Sequence, residues 1–318
     1  MAVERKWGDN HISRALTQIH SESWLLGNFV LRRLPYCSDT ATWNDESDNS
    51  SYTLENLSSP HPPATAHYDS PYIQLVHQAG DASAVWAVGS IALCKVKHVE
   101  DGVTPEPSTL KFVQDQQPSF NTPKILAQAV DGDRVYLFLQ RLPGRTLDQA
   151  WPYLNTWWRL HYVTAIADVC KEMAQWKVRG FGGVDDQNIP EYYLQPRGCH
   201  DFNSIKNSCE EIGMDCSDLV FYHADLGPTN IIVEDKPRTG GIGVIDFEIA
   251  GYLPRDWVRT KFRLSSGMNL SGFASEDPTW LRSEVQKLLG KDGFRDLSSA
   301  YMSWLERQSK TDRKSMGM

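Results

Sequence analysis

The chain has 318 residues, 41% of them hydrophobic and 11% aromatic, enough for a real core in about two domains or two lobes. Thirty-two basic against 40 acidic side chains give a formal net charge of −8, which speaks against a nucleic-acid partner or an anionic membrane surface. No run of about 18 apolar residues occurs, MAVERKWGDNH holds no signal core, and six scattered cysteines form no C-x-x-C pair, so a cytoplasmic protein with reduced thiols and no membrane or zinc site is expected.

Residues 11–34 place Ile12, Ala15, Leu16, Ile19, Trp24 and Leu25 at helix-like spacing, so the segment 1–37 is expected to be helical. Residues 38–71 are rich in Ser, Asp, Asn and Pro and are expected to form an exposed or disordered insert. From Tyr72 the pattern turns to strands. Runs at 72–77, 84–88 and 91–97 are separated by the small-residue turn Ala79–Ser83 and the hairpin turn Gly89-Ser90. A short helix over 108–114 and strands near 124–130 and 134–140 follow, the last two joined by Asp131-Gly132-Asp133.

Beyond Pro143-Gly144 the period changes to 3.6. A long helical stretch over 147–177, with a break expected at Pro152, carries Trp151, Trp157, Trp158, Val163, Ile166 and Val169. Short strands near 219–222, 231–234 and 242–245 precede helices near 279–289 and 294–308. The expected fold class is α+β. A small antiparallel-sheet lobe over 72–142 precedes a larger helical lobe over 143–318.

The most informative stretch is FYHADLGPTNIIVEDKPRTGGIGVIDFEIAGY, residues 221–252. His223-Ala-Asp225, then Asn230, then Asp246-Phe-Glu248 set out H-x-D-x-x-x-x-N followed by a metal-slot aspartate, the arrangement that phosphoryl transfer uses. Asp225 could accept a hydrogen bond from an acceptor hydroxyl and orient it; the alternative is an aspartate that caps a turn. Asn230 and Asp246 offer the hard oxygen ligands that magnesium prefers, with turn residues at strand ends as the competing reading. His223 is a candidate catalytic residue, read first as a brace for the loop, with direct catalysis as the alternative. Glu248 could reach a metal or a cationic substrate, or pair with an arginine.

Upstream, Lys95 sits inside an apolar strand and requires a partner or a ligand, with Lys97 on the same face as runner-up. Glu106, at the start of the next helix, is the expected carboxylate partner, although an acid there also suits the helix dipole. Gly80 and Ser83 could cover phosphates from the turn between two strands, as could any plain hairpin. Arg141 and Leu142, in the segment joining the lobes, could offer backbone groups to adenine.

In YHADLGPTNIIV, GVIDFEIAGY and FLQRLPGRTLDQAW the chain resembles the aminoglycoside phosphotransferase and choline kinase-like family, its fungal members above all, over roughly residues 72–305. The resemblance implies a two-lobed protein-kinase-like fold, ATP with Mg2+, and a small-molecule hydroxyl acceptor. By motif it implies Asp225 as base, Asn230 and Asp246 as metal ligands, and Lys95 on the α/β-phosphates paired with Glu106. The phosphate loop AGDASA departs from the pattern by holding a single glycine. The basic run Arg255, Arg259, Lys261 and Arg263 beside the motif argues against a polycationic antibiotic, unless it is a solvated helix face. A nucleotide-binding pseudokinase, or the same fold put to another reaction, remain alternatives.

Overall fold

The computed structural model describes residues 11–57, 70–176, 180–195, 201–271 and 277–315. They fall into two compact units: Met1–Asp101 with Pro123–Leu142, and Gly102–Thr122 with Pro143–Met318.

The first unit is built from two antiparallel sheets. After a 3-10 turn at Ile12–Arg14 come β1 (Thr17–His20), β2 (Ser23–Leu26), β3 (Phe29–Leu34), β4 (Trp43–Asp45) and β5 (Ser50–Asn56), in the order β1-β2-β3-β5-β4. The second sheet holds β6 (Ile73–Ala79), β7 (Ser83–Val88), β8 (Ala92–His98), β9 (Ile125–Asp131) and β10 (Arg134–Gln140), in the order β6-β7-β8-β10-β9. Side chains alternate across a strand. Ala92, Cys94 and Val96 of β8 therefore join Trp24, Leu26, Leu31, Trp43, Tyr52, Trp86 and Phe138 in one buried cluster drawn from both sheets. Lys95 and Lys97 fall on the opposite face.

The expected helix over residues 11–34 is not there. Only Ile12–Arg14 coils, and three strands follow. Periods of 2 and 3.6 coincide over short runs, and the deciding signal is Leu26-Gly27-Asn28-Phe29. Gly27 takes φ +54° and Leu26 pairs with Phe29 across a two-residue hairpin.

The expected insert also folds in part. Trp43 stacks on Tyr52 at 5.2 Å and 11°, and lies 5.3 Å from Phe138. Two large rings bury enough area to order a segment whose average composition is polar. Asn49, at φ 50°, turns β4 into β5; residues 58–69 lie outside the described ones.

Asp45 ties these strands to the other sheet. Its buried carboxylate accepts from Ser90 N (2.8 Å), Ser90 Oγ (2.8 Å) and Ser47 Oγ (2.5 Å). Burial by itself would raise its pKa, but the hydrogen bonds from Ser47 and Ser90 outweigh that and hold it below the ordinary value. Asp45→Ala leaves those donors unpaired and should cost about 1–3 kcal/mol, read from the urea midpoint at neutral pH. A depressed carboxylate stabilises the fold above about pH 4, and that contribution is lost as pH falls through its folded value. The gap between wild type and Asp45→Ala should therefore narrow under acid.

The second unit opens with α1 (Glu106–Asp115), then β11 (Arg145–Thr146), α2 (Leu147–Ala150), α3 (Thr156–Met173) and α4 (Phe202–Ile212). Pro152 breaks the 147–177 stretch as expected, and Asn155 caps the long helix by accepting from Trp158 N. Next come β12 (Leu219–His223), β13 (Ile231–Val233), β14 (Ile242–Val244) and β15 (Ala250–Pro254), followed by α5 (Arg255–Leu264), α6 (Trp280–Lys291) and α7 (Ser298–Ser315). The strands form two small sheets, β11-β13-β14 and β12-β15. Gly144 holds φ +108° where a Cβ would lie 2.1 Å from the Val233 carbonyl oxygen, so only glycine lets the chain enter β11 there. No helix among the described residues is long and apolar enough to cross a membrane.

Candidate active site

Two hairpin-like pairings bring the motif together within the second unit. β12 runs into the loop Ala224–Asn230, which leads into β13. β13 pairs with β14, Ile231 opposite Val244, and Ile245 N extends the pairing by donating to Asn230 O at 3.0 Å. The chain then turns through Asp246 and a 3-10 turn at Phe247–Ile249 into β15, which pairs back onto β12 with Ala250 opposite His223. Asp225 thereby follows the end of β12, and Asp246 the end of β14.

Asn230 fixes the orientation of Asp225. Its Nδ2 donates to Asp225 Oδ2 at 2.9 Å and to Asp225 O at 2.8 Å. Both amide protons are then used against acceptors, which turns the Asn230 carboxamide oxygen to the other side. Burial and the neighbouring Asp246 carboxylate raise the Asp225 pKa above the ordinary value, against the pull of Lys261 and Asn230.

His223 is fully buried and bridges the two motifs. Asp225 N–H can only donate, so His223 Nδ1 accepts at 3.3 Å and Nε2–H donates to Ile245 O at 3.0 Å. Its ring also lies 5.0 Å from Phe247. This is the bracing geometry.

Glu106, Asp246 and Glu248 each place a carboxylate oxygen within 4.8 Å of the others. Hard oxygens at this spacing suit magnesium. Glu106 Oε1 also accepts from Phe247 N at 3.2 Å, a link to the metal-slot loop that sequence reading missed. Asp246 sits in the left-handed region at φ 67°, which a short polar side chain tolerates.

The remaining candidates lie in the first unit. Lys95 pairs across the sheet with Val85 and Leu137. Gly80, at φ +56°, has open space around its Cβ position, and the turn is tight: Ala79 pairs with Ser83, and Ala82 N donates to Ala79 O. Asp81 in the same turn accepts from Ile12 N at 2.7 Å. Arg141 N is used in a bond to Ile91 O at 2.7 Å, so that N–H is not on offer to a base; Leu142 follows it at the end of the unit.

The basic run on α5 is not one surface: Lys261 is buried, Arg255 and Arg259 are half-buried, and Arg263 is exposed. Lys261 is buried and pairs with Glu191 at 2.6 Å; Arg255 covers the Phe294 ring at 4.1 Å. Arg259 bonds Gln286 and the Phe294 carbonyl, and Arg263 pairs with Asp296 at 3.3 Å. These charges have structural partners, and they carry no general argument about the acceptor.

The loop that carries Asp225 rests on a second turn, Ser266–Met268. A Cβ on Gly227 would meet Gly267 O at 2.5 Å, and one on Gly267 would lie 3.5 Å from Asp225 Oδ1. Gly227→Ala must therefore push the loop away from its support. A loss of about 10²-fold in turnover is expected from an ångström-scale displacement, with the melting temperature much less affected. Steady-state kinetics beside a thermal melt checks both.

A model of the phosphotransferase enzyme family matches residues 80–256, more than half of the chain and the whole stretch from His223 to Glu248. The chain belongs to the phosphotransferase enzyme family. Strands β1–β5 precede the matched region. Among solved structures, this phosphotransferase is similar to aminoglycoside phosphotransferase APH(3'')-Id from Streptomyces rimosus, at 15% identity over 74% of this chain and 92% of that one, with a TM-score of 0.49. It is similar also to an aminoglycoside-3'-phosphotransferase of type VIII, at 18% identity over 75% and 93% of the two chains and a TM-score of 0.48. No curated protein sequence matches the chain.

Proposed function

We propose that the protein transfers the γ-phosphoryl group of ATP to a hydroxyl group of a small molecule, with Mg2+ as the metal. The observation that carries this reading is the fixed carboxylate of Asp225. One oxygen is held by Asn230 at 2.9 Å, while the other faces the turn at Gly267, where a Cβ would lie 3.5 Å from it.

In this mechanism the acceptor hydroxyl donates to Asp225 and is aimed at the γ-phosphorus. As the new O–P bond forms, the bond from phosphorus to the β–γ bridging oxygen breaks, ADP departs, and the hydroxyl proton passes to the Asp225 carboxylate. Burial lifts the basicity of that carboxylate, which favours its taking the proton. Asn230 and Asp246 would hold magnesium, with Glu248 as a further carboxylate; when bound, the ion neutralises charge on the phosphate oxygens. Lys95 is assigned to the α/β-phosphates, the turn at Gly80 and Ser83 to covering them, and the Arg141–Leu142 segment to the adenine side. His223 keeps the loop and the metal-slot strand in register.

The reading is tested by thermal melts with ATP, with and without Mg2+, followed by ADP release over a panel of hydroxyl compounds. Magnesium-dependent stabilisation by ATP is expected. A flat melting temperature at millimolar MgATP would remove the basis for an ATP-dependent enzyme.

A further inference from the structure

We infer that Asp81 is a positioning residue for ATP: by accepting a hydrogen bond from Ile12, it clamps the tip of the β6–β7 hairpin to the N-terminal segment and engages its own charge with a main-chain donor. The inference rests on the phosphotransferase reading, in which this turn covers the nucleotide's phosphates. It deepens that reading by adding a pair of residues that sets the affinity for ATP.

The tip of the hairpin is weakly packed. β6 is the edge strand of its sheet and is exposed from Gln74 to Ala79, with a bulge between Leu75 and His77. Gly80 stands at φ +56° with open space around its Cβ position, and Ala82 is exposed. Such a turn is more mobile than the strands it joins, and ordering it over a ligand costs entropy. A carboxylate in the turn adds a second cost, because a free Asp81 would repel a triphosphate.

The contact with Ile12 answers both. Ile12 begins the 3-10 turn Ile12–Arg14, and the first amide of a helical turn has no partner within the helix. Asp81 Oδ1 accepts from that amide at 2.7 Å, and His11 Nε2 stands 3.9 Å from the same oxygen. The bond from Ile12, with the weaker field of His11, His98 and Arg134, holds the Asp81 pKa below its ordinary value against the cost of burial. The donor is itself fixed, since Ile12 is fully buried in one cluster with Trp24 of β2 and with Ala84 and Trp86 of β7. Ile12 also lies outside residues 80–256, which the family model matches, so the anchor comes from the segment that precedes the shared region.

The test compares dissociation constants for MgATP and for adenosine, which carries no phosphate, by calorimetric titration of the full chain and its variants. Asp81→Ala should weaken MgATP binding about 5–20-fold and adenosine binding less than about twofold. Asp81→Asn keeps an acceptor oxygen and should stay within about threefold of the wild type for both ligands. Ile12→Pro breaks the same bond from the donor side. Proline has no N–H, and His11, at ψ 141°, already holds the backbone that suits a following proline. This variant should weaken MgATP as Asp81→Ala does and leave adenosine in place. Ile12→Val trims the core but keeps the amide, so it should lower the melting temperature without moving the ratio of the two constants. If Ile12→Pro does not fold, Asp81→Ala and Ile12→Val still decide the matter.

Equal weakening of MgATP and adenosine by Asp81→Ala, or unchanged MgATP binding, would overturn the inference. So would a ratio that shifts as far in Ile12→Val as in Asp81→Ala. A wild type that binds no MgATP would instead remove the phosphotransferase reading, and the inference with it.

Discussion

Asp225→Asn is expected to lower phosphoryl transfer by about 10²–10⁴-fold while leaving the stabilisation by MgATP nearly intact. Asparagine keeps the size of the side chain, and its oxygen can still accept from Asn230 Nδ2, now 2.9 Å from Asp225 Oδ2. The loop should therefore keep its shape and lose only the group that takes the proton. A fall in kcat with little change in the apparent KM for ATP is the signature of an interaction made in the transition state. Steady-state ADP release from both proteins measures it. Near-normal turnover in Asp225→Asn would sink the assignment of the base.

Asp246→Asn should act on the metal instead. Asp246 holds φ 67°. Asparagine tolerates that backbone where alanine would add strain of about 1–3 kcal/mol, so the asparagine variant isolates the charge. With one carboxylate neutralised among Glu106, Asp246 and Glu248, the attraction for a divalent ion drops. The magnesium needed for half-maximal turnover should rise at least about tenfold, and turnover at saturating magnesium should fall by about 10²–10³-fold. A magnesium titration of ADP release shows both effects. Unchanged magnesium dependence would move the metal away from Asp246.

Helices α3, α6 and α7 and the strands on either side of Asp225 were legible because their signals are local. Asn230 stands five residues after Asp225, and one loop closes the hydrogen bonds between them. The alternation of Ala92, Cys94 and Val96 gave the central strand of the second sheet, as did the runs for β6, β7, β9 and β10. What was missed depends on contacts distant in sequence. Strands β1–β5 owe their order to Trp43, Tyr52 and Trp24 packing on Trp86 and Phe138. Composition averaged over residues 38–71 conceals two such rings.

The same limit applies around the site. The bond from Phe247 N to Glu106 spans 141 residues, and the pair Lys261–Glu191 spans 70. Lys261 read as one of several basic residues near the motif, because a sequence does not show which lysine on a helix points inward. With Lys261 inside, the run of four basic residues no longer reads as one surface field.

The central claim is an ATP-dependent transfer that runs through Asp225. Incubation of the wild type and Asp225→Asn with γ-labelled ATP, Mg2+ and a deproteinised metabolite extract tests it most directly. The account predicts label in one or more small hydroxyl compounds with the wild type, dependence of that label on magnesium, and its loss with Asp225→Asn. Equal labelling by both proteins, or none by a wild type that MgATP does not stabilise, would contradict it.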